Sequence, residues 1–302
     1  MKSRIEKDDL GEKLIPNEAY YGIQTLRSKE NFDIAKRPIS RQMIKGLAIV
    51  KKAAAYANYD AGYLKKEHRD AISLACDEIL NGRLHGQFIT DLVQGGAGTT
   101  YNMNVNEVIA NRATELLGGK KGEYICHPND HVNCAQSTND VIPTAGKLTC
   151  IELTYELLDE LNKLDKAFRD KEKEFDDVLK MGRTQLEDAV PVRLGQEFGA
   201  YAFGLERNIE RLKNNIKEMF VLNIGGTAIG TSINATKGYV NNIGSELSKQ
   251  TGFDLEVSKN LIDATQNLDS FSAISSNLKS LALFLSKICN DFRLMNSGPR
   301  DG

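Results

Sequence analysis

Three segments in the second half of the chain carry apolar residues at alternating spacings of three and four. The most regular segment comprises Ile274, Leu278, Leu281, Leu285, Ile288, Phe292 and Met295. The other two comprise Leu205, Ile209, Leu212, Ile216 and Met219, and Leu157, Leu161, Leu164, Phe168 and Phe175. This period places the apolar side chains on one face of an α-helix. We predict three long helices packed nearly parallel in a bundle, with some stripes facing other subunits. The alternative is a monomeric helical domain with a self-contained core.

The pattern changes near Pro143, because the segments before it are shorter and interrupted by Gly, Asn and Pro. We predict a mainly α fold with two domains, an N-terminal mixed, largely helical domain (1–142) and part of a central helical bundle (143–302). Gly-rich breaks at 180–188 and 223–231 separate the long helices. After the first break, a new helix is expected to begin near Pro191, since proline suits the first helical turn.

Composition narrows the class of protein. The chain has 302 residues with 39 Lys+Arg and 41 Asp+Glu, a net charge of -2, which gives no electrostatic reason to expect a nucleic-acid or anionic-membrane partner. No apolar stretch approaches the ~20 residues that cross a bilayer. The 5 cysteines are scattered and form no CxxC pair. Reduced thiols and the absence of a targeting signal predict a cytoplasmic protein.

The first polar loop reads QGGAGTTYNMNVN over residues 94–106. Its glycines allow a close approach to a ligand, and Thr99 follows them at the expected start of a helix. Neither the spacing of a phosphate-binding loop nor that of a dinucleotide fingerprint is present. A tight turn followed by a helix cap is an equally good interpretation of this loop.

The second polar segment, residues 127–140, contains His127, His131 and Cys134 at metal-ligand spacings. Pro128 and the neighbouring asparagines favour a turn instead, and no second cluster completes a tetrahedral site, so we predict no metal. The run of Ser137, Thr138 and Asn139 offers two hydroxyls and an amide in succession. Such groups can donate several hydrogen bonds to a carboxylate without neutralising it.

Two further loops contain small and uncharged polar residues. Residues 182–185 place Thr184 beside Gln185, and residues 225–231 read GGTAIGT. The second of these loops is also explained as a turn between closely packed helices. No Ser/His/Asp order or paired-carboxylate motif accompanies them. The pattern indicates a protein that binds small anions with neutral donors.

Taken in order, these segments resemble the aspartase/fumarase superfamily. The resemblance covers QGGAGT (94–99), QSTND (136–140), GRT (182–184), DAVP (188–191) and GQEF (195–198), and continues through GGTAIGT (225–231) to SGPR (297–300). Segments AYYGIQT (19–25), ENF (30–32) and DAT (263–265) are most similar to its ammonia-lyase members. The residue of fumarases at position 185 is His, whereas some ammonia-lyases have Gln there. HPND (127–130) resembles a second dicarboxylate-binding segment of fumarases, which we do not assign to the site.

The resemblance implies three mainly helical domains and a homotetramer whose central helices form one bundle with shared active sites. It implies reversible anti elimination of ammonia from L-aspartate to give fumarate, without a cofactor, and leaves activation by a divalent cation open. Thr99, Ser137 and Thr138 would hold the β-carboxylate of the substrate. Asn139 and Gln185 would lie near the amino group, and Thr184 near the α-carboxylate.

One signature of the superfamily, GSSxMPxKxN, is absent from these 302 residues. In the superfamily it supplies the general-base serine, which we expect beyond Gly302. No catalytic base is therefore assigned here, and we expect a truncated chain that holds part of the site without turnover. The alternatives are fumarate hydration, another lyase reaction of the superfamily, and a non-catalytic helical oligomer. The last of these predicts no binding of dicarboxylates and no effect of Thr138→Val.

Overall fold

The computed structural model describes residues 2–93 and 96–296 and confirms a mainly α protein. The helices are α1 (Ile23–Asn31), α2 (Arg41–Asp60), α3 (Lys66–Leu80), α4 (Thr99–Leu116), α5 (Thr138–Glu174), α6 (Leu194–Asn215), α7 (Lys237–Thr251), α8 (Leu261–Gln266) and α9 (Asp269–Met295). The strands are β1 (Ser3–Asp8), β2 (Gly11–Pro16), β3 (Leu179–Thr184), β4 (Glu187–Arg193), β5 (Val221–Leu222) and β6 (Glu256–Val257). They pair as β1–β2 and β3–β4, both antiparallel, and as β5–β6, which is parallel. No helix in these ranges combines the length and apolar character needed to span a membrane.

The chain divides into two compact units, each built from two stretches of sequence. The first contains Met1–Thr149 and Phe220–Asn267, and the second contains Cys150–Met219 and Leu268–Gly302. This division differs from the predicted boundary at 142/143, because α5 continues through Pro143. Proline has no N–H to donate to the carbonyl four residues earlier. That carbonyl, of Asn139, instead accepts a hydrogen bond from the Asn223 amide at 2.9 Å.

In the first unit, a buried carboxylate of α4 holds the start of α1. Glu107 accepts hydrogen bonds from the backbone N–H groups of Gly22 and Gln24, both at 2.9 Å, and of Thr25 at 3.1 Å. Burial raises the pKa of Glu107, and these donors oppose the rise. A Cβ atom at Gly22 would lie 2.3 Å from the hydroxyl of Tyr124. The close approach of the two segments therefore requires glycine at this position.

In the second unit, the three predicted helical stripes pack against one another, as expected. Residues of all three helices form one buried cluster, which consists of Leu158, Leu161, Phe168, Tyr201, Ala202, Leu205, Ile209, Leu212, Leu281 and Ile288. Along the seam of α9, Ile274 and Leu281 are buried, whereas Leu278 remains 40% exposed. The spacing thus predicted the inward face of the helices correctly, and part of the apolar surface is left uncovered within the unit.

The break at 180–188 is not a loop between helices, and a new helix does not begin near Pro191. Residues 179–193 form the β3–β4 hairpin, in which Pro191 pairs with Met181. A two-stranded hairpin tolerates proline because neither strand needs every N–H for a neighbour. Helix α6 begins at Leu194, where the side chain of Gln196 accepts from the backbone N–H of Arg193 at 3.0 Å.

Candidate active site

The first turn of α5 presents two of the predicted substrate-binding hydroxyls. Ser137 Oγ accepts from the backbone N–H of Asn139 at 3.3 Å, and Asp140 Oδ1 accepts from the backbone N–H of Ser137 at 2.9 Å. These two hydrogen bonds resemble a capping box, with the serine bonded to the second helical residue rather than the third, and they explain why the helix begins at Thr138. The Ser137 hydroxyl acts here as an acceptor, so its own hydrogen remains to be donated to a ligand. The positive end of the helix dipole also favours an anion at this point.

Thr138 is connected to the helix that follows the first polar loop. The buried amide of Asn102, on α4, donates to Thr138 Oγ1 at 3.3 Å and to Asn133 Oδ1 at 3.2 Å. A Cβ atom at Gly98 would lie 3.0 Å from the side chain of Ile142, which shows how closely α4 and α5 approach. The structure therefore brings the predicted loop at 94–106 and the Ser137 segment together.

Thr99 lies at the start of α4, as predicted, but its hydroxyl has a partner in the same turn. Thr99 Oγ1 donates to the carbonyl of Gly96 at 2.7 Å and is exposed. It would have to rotate to donate to a substrate. The side chain also borders a cavity of about 240 Å³, whose lining comprises Asp8, Leu10, Gln24, Arg27, Ser28, Thr99, Thr100 and Met103. The motif positions 94–95 and 297–300 lie outside the described residues.

The Gly-rich loop at 225–231 packs against the same end of α5. Asp140 is fully buried, and its Oδ2 accepts from the backbone N–H groups of Gly225 at 3.1 Å and Thr227 at 3.0 Å. The side chain of Asn139 donates to the carbonyl of Ala228 at 2.7 Å. This contact fixes the amide so that its oxygen is the atom left to accept a hydrogen bond from a ligand. The loop is therefore a turn, which is the alternative that the sequence analysis gave. Its backbone contacts the candidate site through Asp140 and Asn139.

A buried lysine contacts the residues that precede the start of α5. Lys51, on α2, is 0% exposed and donates to Asn133 Oδ1 at 2.8 Å and to Gln136 Oε1 at 3.0 Å. Burial lowers the pKa of Lys51 to about 7, while the negative charge of Asp140 opposes that shift. Burial likewise raises the pKa of Asp140, against its N–H donors and the charge of Lys51. Lys51 and Asp140 therefore influence each other's pKa, and both are buried next to the segment that contains Ser137 and Thr138.

Thr184 and Gln185 belong to the second unit, at the tip of the β3–β4 hairpin. Thr184 pairs with Glu187, so the connection has two residues, and both have left-handed backbone, with φ of 53° at Gln185 and 69° at Leu186. Non-glycine residues seldom adopt this conformation, and strain of this kind is concentrated at functional sites. The second unit also has a cavity of about 280 Å³, but neither of these two residues lines it.

The predicted turn at 127–132 is a short π-helix, Pro128–Val132, with His127 at its N-terminal cap. His127 Nδ1 accepts from the backbone N–H groups of Asn129 and Asp130, and His131 Nδ1 accepts from the backbone N–H of His127 at 2.7 Å. The rings of His131 and His68 stack with centroids 4.2 Å apart. Across residues 2–93 and 96–296, no three His, Cys, Asp or Glu side chains are grouped so that they could hold a metal ion.

Sequence reasoning missed Lys51, Asn102 and Asp140 as members of the site. The signal for Lys51 was its position on the helical face of Leu47 and Ala54, both of which are buried. A lysine on an apolar helix face needs buried partners, and uncharged amides supply them here. Asp140 was detectable as the fourth residue of a capping box that starts at Ser137.

The site therefore combines uncharged donors at a helix N-terminus with charges that are buried behind it. This arrangement suits the binding of a small anion by uncharged donors. The sequence model of the lyase family matches residues 11–302 of the chain. The chain therefore belongs to this family, within the aspartase/fumarase superfamily. The predicted resemblance is confirmed.

Bacterial relatives are similar over almost the whole chain. It is 52% identical to aspartate ammonia-lyase of Bacillus subtilis (strain 168) over 300 residues, which are 99% of this chain and 63% of that protein. It is 46% identical to aspartate ammonia-lyase of Escherichia coli (strain K12) over 303 residues, again 99% of this chain and 63% of the relative. The chain thus spans less than two thirds of the length of these relatives.

Solved structures share the fold. A crystal structure of fumarate lyase:delta crystallin from Brucella melitensis bound to cobalt matches with a TM-score of 0.97 at 48% identity, over 100% of this chain and 66% of that one. A recombinant class II fumarase from Schistosoma mansoni matches with a TM-score of 0.96 at 35% identity, over 100% and 67% of the two chains. The fold is therefore that of the superfamily throughout the aligned region.

Proposed function

We propose that these 302 residues are part of an ammonia-lyase that converts L-aspartate reversibly to fumarate and ammonia by anti elimination, and that they do not turn over alone. The observation that carries the proposal is the pair of hydroxyls at the start of α5, Ser137 and Thr138. Both accept hydrogen bonds from amide groups and so keep a hydrogen for a ligand. Similarity to proteins named aspartate ammonia-lyase, at 46% to 52% identity, supports the choice of L-aspartate.

The difficult step is removal of a weakly acidic proton from the carbon beside the β-carboxylate. The resulting carbanion is stabilised as a dianion, so groups that bind this carboxylate must bind more strongly as charge accumulates. Uncharged hydroxyls do so without forming an ion pair that stabilises the ground state equally. We assign this role to Ser137, Thr138 and, after rotation of its hydroxyl, Thr99.

The other predicted residues complete the substrate contacts. Asn139 presents its amide oxygen, because its nitrogen donates to Ala228. An oxygen acceptor suits the ammonium group of L-aspartate. We place Gln185 near the same group and Thr184 near the α-carboxylate. The proposal assigns no catalytic base to residues 1–302 and needs no cofactor.

We extend the proposal to a homotetramer in the cytoplasm with active sites shared between subunits. Apolar side chains of α6 and α9 stay exposed after the core of the second unit is filled, among them Phe203 at 58%, Leu283 at 64% and Leu294 at 48%. Apolar surface of this kind marks protein contacts. All five cysteines are free thiols, which agrees with a reducing compartment. Sedimentation of the chain tests the assembly, and a monomer at all concentrations contradicts it.

Calorimetric titration with fumarate tests the binding function. The chain should bind fumarate, and Thr138→Val should weaken binding about tenfold or more, because it removes a hydrogen bond to a charged group. The matched control is Thr154→Val, a buried threonine further along α5, which should leave affinity unchanged. Equal affinity in all three proteins would contradict the role of Thr138, and no binding by any of them would favour the non-catalytic oligomer.

Turnover is tested separately with L-aspartate as substrate. Release of fumarate, followed by its ultraviolet absorbance, should stay at trace level for residues 1–302, since no base is assigned to them. A clear rate on L-aspartate would contradict the expected inactivity of this chain while supporting the substrate. A rate on L-malate alone would favour the hydratase alternative.

A further inference from the structure

Several groups connect the start of α5 to the loop at 225–231, but one side chain contacts both backbones. Asp140 accepts from the N–H of Ser137 with one oxygen and from the N–H groups of Gly225 and Thr227 with the other. These distances, 2.9, 3.1 and 3.0 Å, are those of good hydrogen bonds. Because every partner is a donor, both oxygens must accept, which the ionised carboxylate does best.

The two segments that meet at Asp140 each contain a group that faces the candidate site. The Ser137 N–H belongs to the residue whose hydroxyl we assign to the β-carboxylate. The loop supplies the carbonyl of Ala228, which orients the amide of Asn139. A change at Asp140 therefore moves a hydroxyl and an amide at once, although Asp140 itself is buried and contacts neither directly.

We propose that Asp140 is a positioning residue that holds the donors at the start of α5 in register with the loop at 225–231. This inference rests on the proposed function, since it concerns how the dicarboxylate-binding groups are aligned. Reacting geometry is sensitive to small displacements, and a shift of about 1 Å costs up to roughly 100-fold. A short, buried carboxylate with three backbone donors restricts such shifts more than a surface ion pair does.

The test compares Asp140→Asn with a matched variant, Glu107→Gln. Both positions hold buried helical carboxylates that accept from three backbone N–H groups. An amide has one accepting oxygen, so either variant leaves N–H groups without their acceptor. Three quantities are measured for each protein, namely the affinity for fumarate by calorimetry, the exchange rates of individual amides by NMR, and the resistance to urea.

Asp140→Asn should bind fumarate roughly 10- to 100-fold more weakly and should exchange faster at Ser137, Gly225 and Thr227. Glu107→Gln should lose similar resistance to urea but bind fumarate within about twofold of the parent. Unchanged affinity in a folded Asp140→Asn variant overturns the proposal. Equal weakening in both variants also overturns it, because general destabilisation would then explain the loss.

Two controls keep the outcomes separate. If Asp140→Asn does not fold, the double variant with Lys51→Met removes the buried cation that would lack its counter-charge. Affinity of the double variant equal to that of Lys51→Met alone overturns the proposal, and weaker affinity than that of Lys51→Met supports it. If the parent chain binds no fumarate, the proposed function fails. The amide exchange rates then test by themselves whether Asp140 holds the two segments together. Unchanged exchange at Gly225 and Thr227 in Asp140→Asn then overturns it.

Discussion

The buried lysine of α2 gives the first unit a specific dependence on pH. Lys51 is 0% exposed, and its ammonium is held by the side-chain oxygens of Asn133 and Gln136. Burial lowers its pKa to about 7, whereas a lysine in an unfolded chain titrates near pH ~10.4. The perturbation that isolates this effect is Lys51→Met, which replaces lysine by an unbranched apolar side chain one heavy atom shorter and removes the titrating group.

The sign follows from proton linkage. Between about pH 7 and pH 10 the unfolded chain holds a proton on Lys51 that the folded chain has released. Raising the pH therefore removes a penalty on folding, and the free energy of unfolding increases. With a folded pKa of about 7 and an unfolded value of ~10.4, moving from about pH 7 to about pH 9 adds about 2 kcal/mol.

Urea unfolding of the parent and of Lys51→Met at these two pH values measures the effect. Other titrating groups are common to both proteins, so their contributions cancel in the difference. The parent should gain about 2 kcal/mol more than the variant as the pH rises. The loss of the hydrogen bonds to Asn133 and Gln136 changes the free energy of unfolding of the variant by the same amount at both pH values. An identical pH response in the two proteins would refute a neutralised, buried lysine.

Two further predictions concern the turn at 127–132 and the hairpin tip. Burial lowers the pKa of His131, so stability should fall as the pH drops below about 6.5. His131→Asn keeps an acceptor for the His127 N–H, and urea unfolding at about pH 5.5 should show a smaller loss of stability for this variant than for the parent. An equal loss in both proteins would show that protonation of His131 is not the cause. Leu186 is 73% exposed with φ of 69°. Leu186→Gly should raise stability by about 1 kcal/mol in urea unfolding, and no gain would show that the turn is unstrained.

The helical core could be predicted from sequence because its pattern is local. Leu205, Ile209, Leu281 and Ile288 recur at helical spacing, and all four are buried in one cluster. Spacing alone did not show which apolar residues remain uncovered, such as Leu283 at 64% exposure. That outcome depends on neighbours that lie far away in sequence.

The hairpin and the division into units were harder to predict. Residues 187–191 of β4 are exposed in succession, so they lack the alternation of a half-buried strand. The return of residues 220–267 to the first unit depends on contacts across more than 80 residues, such as Asn139 with Asn223, 84 positions apart. No local pattern encodes such a contact.

The sequence singles out the hydrogen-bond donors of the candidate site but not the buried groups that contact them. Ser137, Thr138 and Asn139 stood out as adjacent uncharged groups, and the structure places them at one helix end. The burial of Lys51 and Asp140 could not be predicted, because a single sequence does not show that two charges 89 residues apart are buried together. Their coupling is visible only in three dimensions.

The most direct test of the account is to locate fumarate binding on the chain by NMR. Adding fumarate should shift the backbone resonances of Ser137, Thr138 and Asn139, with smaller shifts in the loop at 225–231. These shifts should disappear in Thr138→Val and persist in Thr154→Val. Shifts confined to His127 and its turn, with none at the start of α5, would contradict the claim that neutral hydroxyls at this helix end bind the dicarboxylate.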